Sequence, residues 1–196
     1  TGEGGAVLTN NSDIDEIVRR LRTHGMTKDP EQLEKNDGPW YYEMHEVGFN
    51  YRITDFQCAL GSSQLKKLDR FLQNRRAIAK RYNDSFSNIK NLKVPEVQST
   101  VEYSYHLYPL QIDFEKLPLS KVEFFEKMKE TDINLQVHYI PIHIQPFYKK
   151  NYGFNKGDFP ISEEFYHNEV SLPVYPDLST DDQKNVIKKI EEYINV

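Results

Sequence analysis

Cysteine is nearly absent from this sequence: Cys58 stands alone among 196 residues. A single thiol closes no internal disulfide and completes no zinc cage, so the expected setting is a reducing, cytosolic one. Long apolar runs are missing as well. None approaches the ~20 residues of a membrane span, and the first residues lack the basic-then-apolar pattern of a signal peptide. There is also no block of positive charge. The net charge of -5 comes from acidic and basic residues mixed along the chain, whereas nucleic acid or an anionic membrane calls for clustered Lys and Arg. These absences point to a soluble intracellular protein with no nucleic-acid or membrane partner. At this length the chain forms one large domain or two small ones, with roughly 70% of its surface buried on folding.

Aromatic residues, by contrast, are plentiful: 13 Tyr and 11 Phe in a chain only 38% hydrophobic. Such side chains serve either an aromatic core or a ligand or interface surface.

Along the chain, "GAVLT" (5–9) reads as a strand leaving a glycine turn. Ser12 can cap a helix with Ile14, Ile17, Val18 and Leu21 on one face, closed by His24 and Gly25. Residues 26–47 lack periodicity and read as one long loop. Thr54 and Gln57 form a T-x-x-Q capping box. The pattern then runs through Phe56, Leu60, Leu68, Leu72, Arg75, Ile78, Tyr82 and Phe86, interrupted near Gly61. A helix or helix pair of ~30 residues would span ~45 Å, enough to connect two domains. Beyond residue 95, "VEYSYHLYPLQI" is β-prone, with Pro109 suggesting an edge or bulge. Ser120 and Glu123 form a second capping box ahead of Val122, Phe125 and Met128. Ile133, Leu135, Val137 and Tyr139 alternate with polar residues as in a strand. Helices follow around 163–170 and 180–194, the last with Val186, Ile187, Ile190 and Ile194 on one face. The order of elements is that of an α/β protein.

The six histidines form no metal-like grouping; His138 and His143, five apart across Pro141, fit neither a helical pair nor a zinc knuckle. "GEGG" at 2–5 lacks the preceding strand of a phosphate loop. Asn50 and Arg52 occupy positions i and i+2 of an extended piece and so point to one side. Together they could grip an anionic oxygen. On spacing alone, the reading that comes first is a turn amide and an arginine paired with a nearby carboxylate. "QVHYIPIHIQPFY" (136–148) is a proline-broken loop able to bond and stack on a polar ligand, or else a satisfied domain edge.

Five segments, "GEGGAVLTN", "RTHG" (22–25), "GFNYRITDFQCALGSSQL" (48–65), "YIPIHIQ" (139–145) and "FYHNEVSLPVYPDLS" (165–179), stand in order. In this the chain resembles the DegT/DnrJ/EryC1/StrS sugar-nucleotide aminotransferases over essentially its whole length. "LQVHYIPIH" and "EEFYHNEVSLP" are most similar to the 4-aminotransferases of the pseudaminic acid pathway, which act on a UDP-linked 4-keto-6-deoxy-N-acetylhexosamine. The resemblance implies the C-terminal part of the aspartate-aminotransferase (type I, pyridoxal phosphate) fold. Residues 1–66 would be a remnant of the large cofactor-binding domain, and residues 67–196 a long linker helix and the small domain. It implies a homodimer with shared sites, a sugar nucleotide and an amino donor such as glutamate as substrates, and pyridoxal phosphate as cofactor.

In that family the Schiff-base lysine lies a few residues before the stretch matching Thr1. No catalytic residue is therefore expected within this chain, which alone should not turn over. The resemblance assigns Asn50 to the cofactor phosphate of a partner subunit, and Arg52, His138, Tyr139 and His143 to the sugar-nucleotide site. Glu3, Gly4 and Gly5 match an architectural turn. Two other readings stay open: a pyridoxamine-dependent sugar 3-dehydrase relative, and a non-catalytic dimerisation or ligand-sensing module.

Overall fold

The computed structural model describes residues 1–194 and divides into two compact units, Thr1–Lys67 and Leu68–Val196. In the first unit, residues 5–9 form no strand, so that expectation is not met. Helix α1 spans Ser12–Leu21. Its cap is Asn11 rather than Ser12, because the Asn11 side chain reaches the backbone N–H groups of Asp13 (2.8 Å) and Ile14 (3.2 Å). The helix stops at Leu21, ahead of Gly25. The stretch expected to be one open loop is instead closed at its base: β1 (Met26–Thr27) pairs antiparallel with β2 (Glu43–Met44). Helix α2 (Asp55–Leu65) begins with the expected Thr54–Gln57 box and runs unbroken through Gly61. The interruption falls at Lys66–Lys67.

In the second unit α3 covers Leu68–Phe86. A three-stranded antiparallel sheet follows, in the order β3 (Leu92–Lys93), β4 (Tyr108–Ile112), β5 (Glu169–Leu172). Between β4 and β5 come α4 (Lys121–Glu130), α5 (Pro146–Tyr152) and α6 (Pro160–Asn168); α7 (Thr180–Tyr193) closes the chain. Strand β3 reaches only Gln111 and Ile112, so at Pro109 the middle strand has β5 as its one neighbour. That is the local edge at which a missing N–H is tolerated. The proposed strand 133–139 reduces to a single antiparallel bridge, Gln136 with Ser171. Ile133 and Leu135 are buried there, but Tyr139 is 72% exposed.

The core of this unit is aromatic. Ile78, Ala79, Tyr82 and Phe86 form the inner face of α3, and the Tyr82 ring lies 4.9 Å from that of Tyr108 and 5.9 Å from that of Phe86. On α4 the buried residues are Phe124 and Met128, while Val122 is exposed. Of the expected face, Met128 is buried and Phe125 packs half-buried against the core, but Val122 faces out and Phe124, edge-on to Phe114 at 5.7 Å, takes an inner position. Val186, Ile190 and Ile194 complete the core from the C-terminal end.

Polar cross-braces fix how β5 ends. Tyr82 donates to the carbonyl of Pro173 (3.0 Å), Arg75 to that of Val174 (2.8 Å) and Asn74 to that of Pro176 (3.0 Å). Three side chains of α3 thus hold the segment after β5. Buried Gln183 of α7 donates to the Ile78 carbonyl (2.8 Å) and accepts from Arg81.

Candidate functional site

In the first unit, the segment carrying Asn50 is stitched to the end of α1. Phe49 N–H donates to the Leu21 carbonyl (2.7 Å), His24 N–H to that of Phe49 (2.8 Å) and Tyr51 N–H to that of Arg22 (3.0 Å). This brackets an antiparallel bridge between Thr23 and Asn50. Two glycines make the approach possible. A Cβ on Gly48 would lie 2.1 Å from the Gly25 nitrogen, and one on Gly25 would lie 1.8 Å from the Glu46 carbonyl oxygen. Gly25 also has φ +70°, in the left-handed region. The Arg20 guanidinium adds an ion pair to Glu46 at 2.5 Å. "RTHG" and "GFN", separate in the sequence, are therefore one interlocked piece of backbone.

Asn50 and Arg52 stand on that piece, both exposed. Among the described residues neither side chain has a hydrogen-bond or ion-pair partner. An amide with unspent donors, on a backbone held by three hydrogen bonds, has the chemistry to receive a phosphate oxygen. Beside it, Phe49 and Tyr51 stack at 4.8 Å.

In the second unit, His138 is half-buried, Tyr139 is exposed, and their rings meet edge-on at 4.6 Å. His143 behaves differently. It is buried, its Nε2 lies 2.8 Å from Glu163 Oε1, and Phe159 packs 4.8 Å from its ring. Glu163 also accepts from the Gly157 N–H (2.7 Å). These contacts, His143 first, hold its carboxyl below the usual carboxylate range. The structure thus keeps His138 and Tyr139 together at the surface and turns His143 inward as a brace for the loop.

Two residues with a part in this arrangement were not singled out in the sequence. Glu169 and Ser171 face the same side of β5, and the Gln136–Ser171 bridge puts residue 138 opposite residue 169. Glu169 is fully buried; its Oε2 accepts from the His138 backbone N–H (2.9 Å) and its Oε1 from the Ser171 hydroxyl (2.5 Å). The Ser171 oxygen lies 2.7 Å from His138 Nδ1. The one available signal was the Glu-x-Ser spacing inside an otherwise apolar strand. Nearby, Lys121 donates to the Tyr166 carbonyl (2.7 Å), and burial lowers its pKa.

Comparison with known proteins places the chain in a family. The DegT/DnrJ/EryC1/StrS aminotransferase family model matches residues 1–191. The UDP-4-amino-4,6-dideoxy-N-acetyl-beta-L-altrosamine transaminase of Campylobacter jejuni is 36% identical over 186 residues, covering 95% of this chain and 46% of the relative. The spore coat polysaccharide biosynthesis protein SpsC of Bacillus subtilis is 37% identical over 195 residues, covering 99% and 50%. Among solved structures, Helicobacter pylori PseC, an aminotransferase involved in the biosynthesis of pseudoaminic acid, superimposes with a TM-score of 0.78 at 28% identity, covering 95% of this chain and 47% of that one. The chain spans about half the length of the curated relatives it matches. Its fold is that of part of the type I pyridoxal phosphate enzymes, and the chain belongs to the DegT/DnrJ/EryC1/StrS aminotransferase family.

Proposed function

We propose that this chain is the C-terminal half of a pyridoxal phosphate-dependent sugar-nucleotide aminotransferase. The whole protein would move an amino group from an amino acid, glutamate being the expected donor, to C4 of a UDP-linked 4-keto-6-deoxy sugar. The first unit is assigned to the large cofactor-binding domain and the second to the small domain. The altrosamine transaminase at 36% identity supports the choice of sugar class.

The observation that carries the reading is the presentation of Asn50. Its backbone is fixed by the pairing of 21–24 with 49–51, and its amide is left unbonded. Asn50 would donate to the cofactor phosphate across a homodimer interface; being neutral, it adds a hydrogen bond without a second charge. Arg52, two residues on, would take an anionic group of the sugar nucleotide. In the second unit, Tyr139 would stack on the substrate and His138 would bond one of its polar groups, while His143 holds their loop through Glu163. When bound, pyridoxal phosphate supplies the electron sink for the transfer. The lysine that anchors it would precede Thr1, so the 196-residue chain alone is expected to be inactive.

The test uses the complete reading frame. Borohydride reduction in the presence of pyridoxal phosphate, followed by peptide mass spectrometry, should place the adduct on a lysine just ahead of Thr1. Asn50→Ala should weaken cofactor binding by about ten- to a hundredfold, the loss of one hydrogen bond to a charged group. A complete protein that binds no pyridoxal phosphate, or an Asn50→Ala variant that binds it as well as the parent, would overturn the reading.

A further inference from the structure

The Glu169–Ser171–His138 chain contains one proton whose position decides the chemistry of the histidine. Both Glu169 oxygens accept, one from the His138 backbone N–H and one from the Ser171 hydroxyl. A carboxylate in its ionised form can only accept, and both bonds then run toward Glu169. A serine hydroxyl has a single hydrogen. Since Ser171 spends it on Glu169, its oxygen can only accept from the other side, where His138 Nδ1 lies 2.7 Å away. Nδ1 must then carry the proton. In a neutral imidazole this leaves Nε2 with a free lone pair, and among the described residues Nε2 has no partner.

The heavy atoms of this chain are held firmly in place. Glu169 is fully buried and Ser171 nearly so, at 6% exposure. Both sit in β5, where four consecutive pairings to β4 fix the register, and the carboxylate also grips the backbone of residue 138 itself. An unpaired hydroxyl or carboxylate at this depth would be costly, so the two groups hold each other in place.

We infer that Glu169 and Ser171 are positioning residues that lock His138 as its Nδ1–H tautomer, so that Nε2 offers a hydrogen-bond acceptor to a hydroxyl or amide N–H of the sugar nucleotide. Neither residue touches the substrate; each acts through His138. The acceptor role rests on the proposed placement of His138 at the substrate, whereas the tautomer does not.

The experiment therefore has two readouts. On the 196-residue chain, long-range proton–nitrogen correlation of ¹⁵N-labelled imidazoles at a pH where histidine is neutral reports which ring nitrogen is protonated, with H138Q identifying the signal. The parent should show Nδ1 protonated and Nε2 bare. Ser171→Ala should release the tautomer toward Nε2–H, and Ser171→Thr, which keeps the hydroxyl, should restore it. A parent His138 protonated on Nε2 would overturn the lock, and that result needs no variant to fold. In the complete protein, Ser171→Ala should raise KM for the sugar nucleotide about tenfold, the loss of one well-placed hydrogen bond, with cofactor affinity unchanged and Ser171→Thr close to the parent. A locked tautomer with an unchanged KM would remove Nε2 from the substrate while leaving the lock in place.

Discussion

The two units of this chain are held together by different forces. In Leu68–Val196 the three strands and helices α3, α4 and α7 contribute to one buried aromatic and aliphatic cluster, with Tyr82, Phe86, Tyr108 and Phe124 inaccessible to solvent. In Thr1–Lys67, Gly25 is the one buried residue. Leu8 and Phe56 are each 90% exposed, and α1 turns Ile14 and Ile17 outward. What defines this unit is backbone: the stitching of 21–24 to 49–51, the small ladder at its base, and two glycines that let strands of main chain meet. Side-chain burial specifies the second unit. In the first, among the described residues, backbone hydrogen bonds and sterics hold the shape that presents Asn50 and Arg52.

If that contrast is right, the largest single loss should come from the core. Phe124→Ala removes a fully buried ring and should cost about 3–5 kcal/mol. That lowers the melting temperature of the second unit by about 15 °C in near-UV circular dichroism. A smaller loss would mean the core collapses around the gap and packs less tightly than its burial indicates. Next comes Gly48→Ala, which adds one methyl group 2.1 Å from a backbone nitrogen. The main chain itself must yield, so the pairing should weaken by about 3 kcal/mol. Hydrogen exchange should show loss of protection at the Phe49 and Tyr51 amides, with β4 amides retaining theirs. Retained protection at Phe49 would contradict the claim that backbone contact shapes the first unit.

The same contrast explains which features could be read from the sequence. Local chemistry was legible: the capping boxes at Thr54–Gln57 and Ser120–Glu123 form as expected, because each involves residues three apart. The inner face of α7 was equally legible, with Val186 and Ile190 buried at helical spacing. Non-local contacts were not. Gly25 looks like a helix terminator, but what demands glycine there is the carbonyl of Glu46, more than twenty residues away. The alternation from Ile133 to Tyr139 looks like a strand, yet only Gln136 finds a bridge partner, on β5. At the candidate site, Asn50 and His138 were visible as polar residues among aromatics. Glu169 and Ser171 were not, because their bearing on His138 spans 31 and 33 residues of chain and depends on strand register.

The smallest expected effect sharpens the comparison, because it concerns a carboxylate that organises backbone in the unit without a core. Glu43 accepts from the N–H groups of Glu34 (2.9 Å) and Lys35 (3.2 Å), from the Tyr41 hydroxyl (2.8 Å), and lies 2.9 Å from His45 Nε2. The Glu34 backbone hydrogen bond is the main reason its pKa falls from the ordinary 4.5 to about 2. A depressed carboxylate pKa stabilises the folded loop fully above the ordinary value, and that contribution is lost as pH falls toward the folded-state value. Protection of the Glu34 and Lys35 amides, corrected for intrinsic exchange, should therefore be constant above about pH 5 and decline between about 4.5 and 2. Glu43→Gln keeps the shape but offers one acceptor oxygen, so its protection at these amides should be low and insensitive to pH across that window. A parent loop whose protection does not change between pH 5 and 2 would show that 34–45 is held by something other than this carboxylate. The backbone pairing of β1 with β2 would then be the main source of order in this loop.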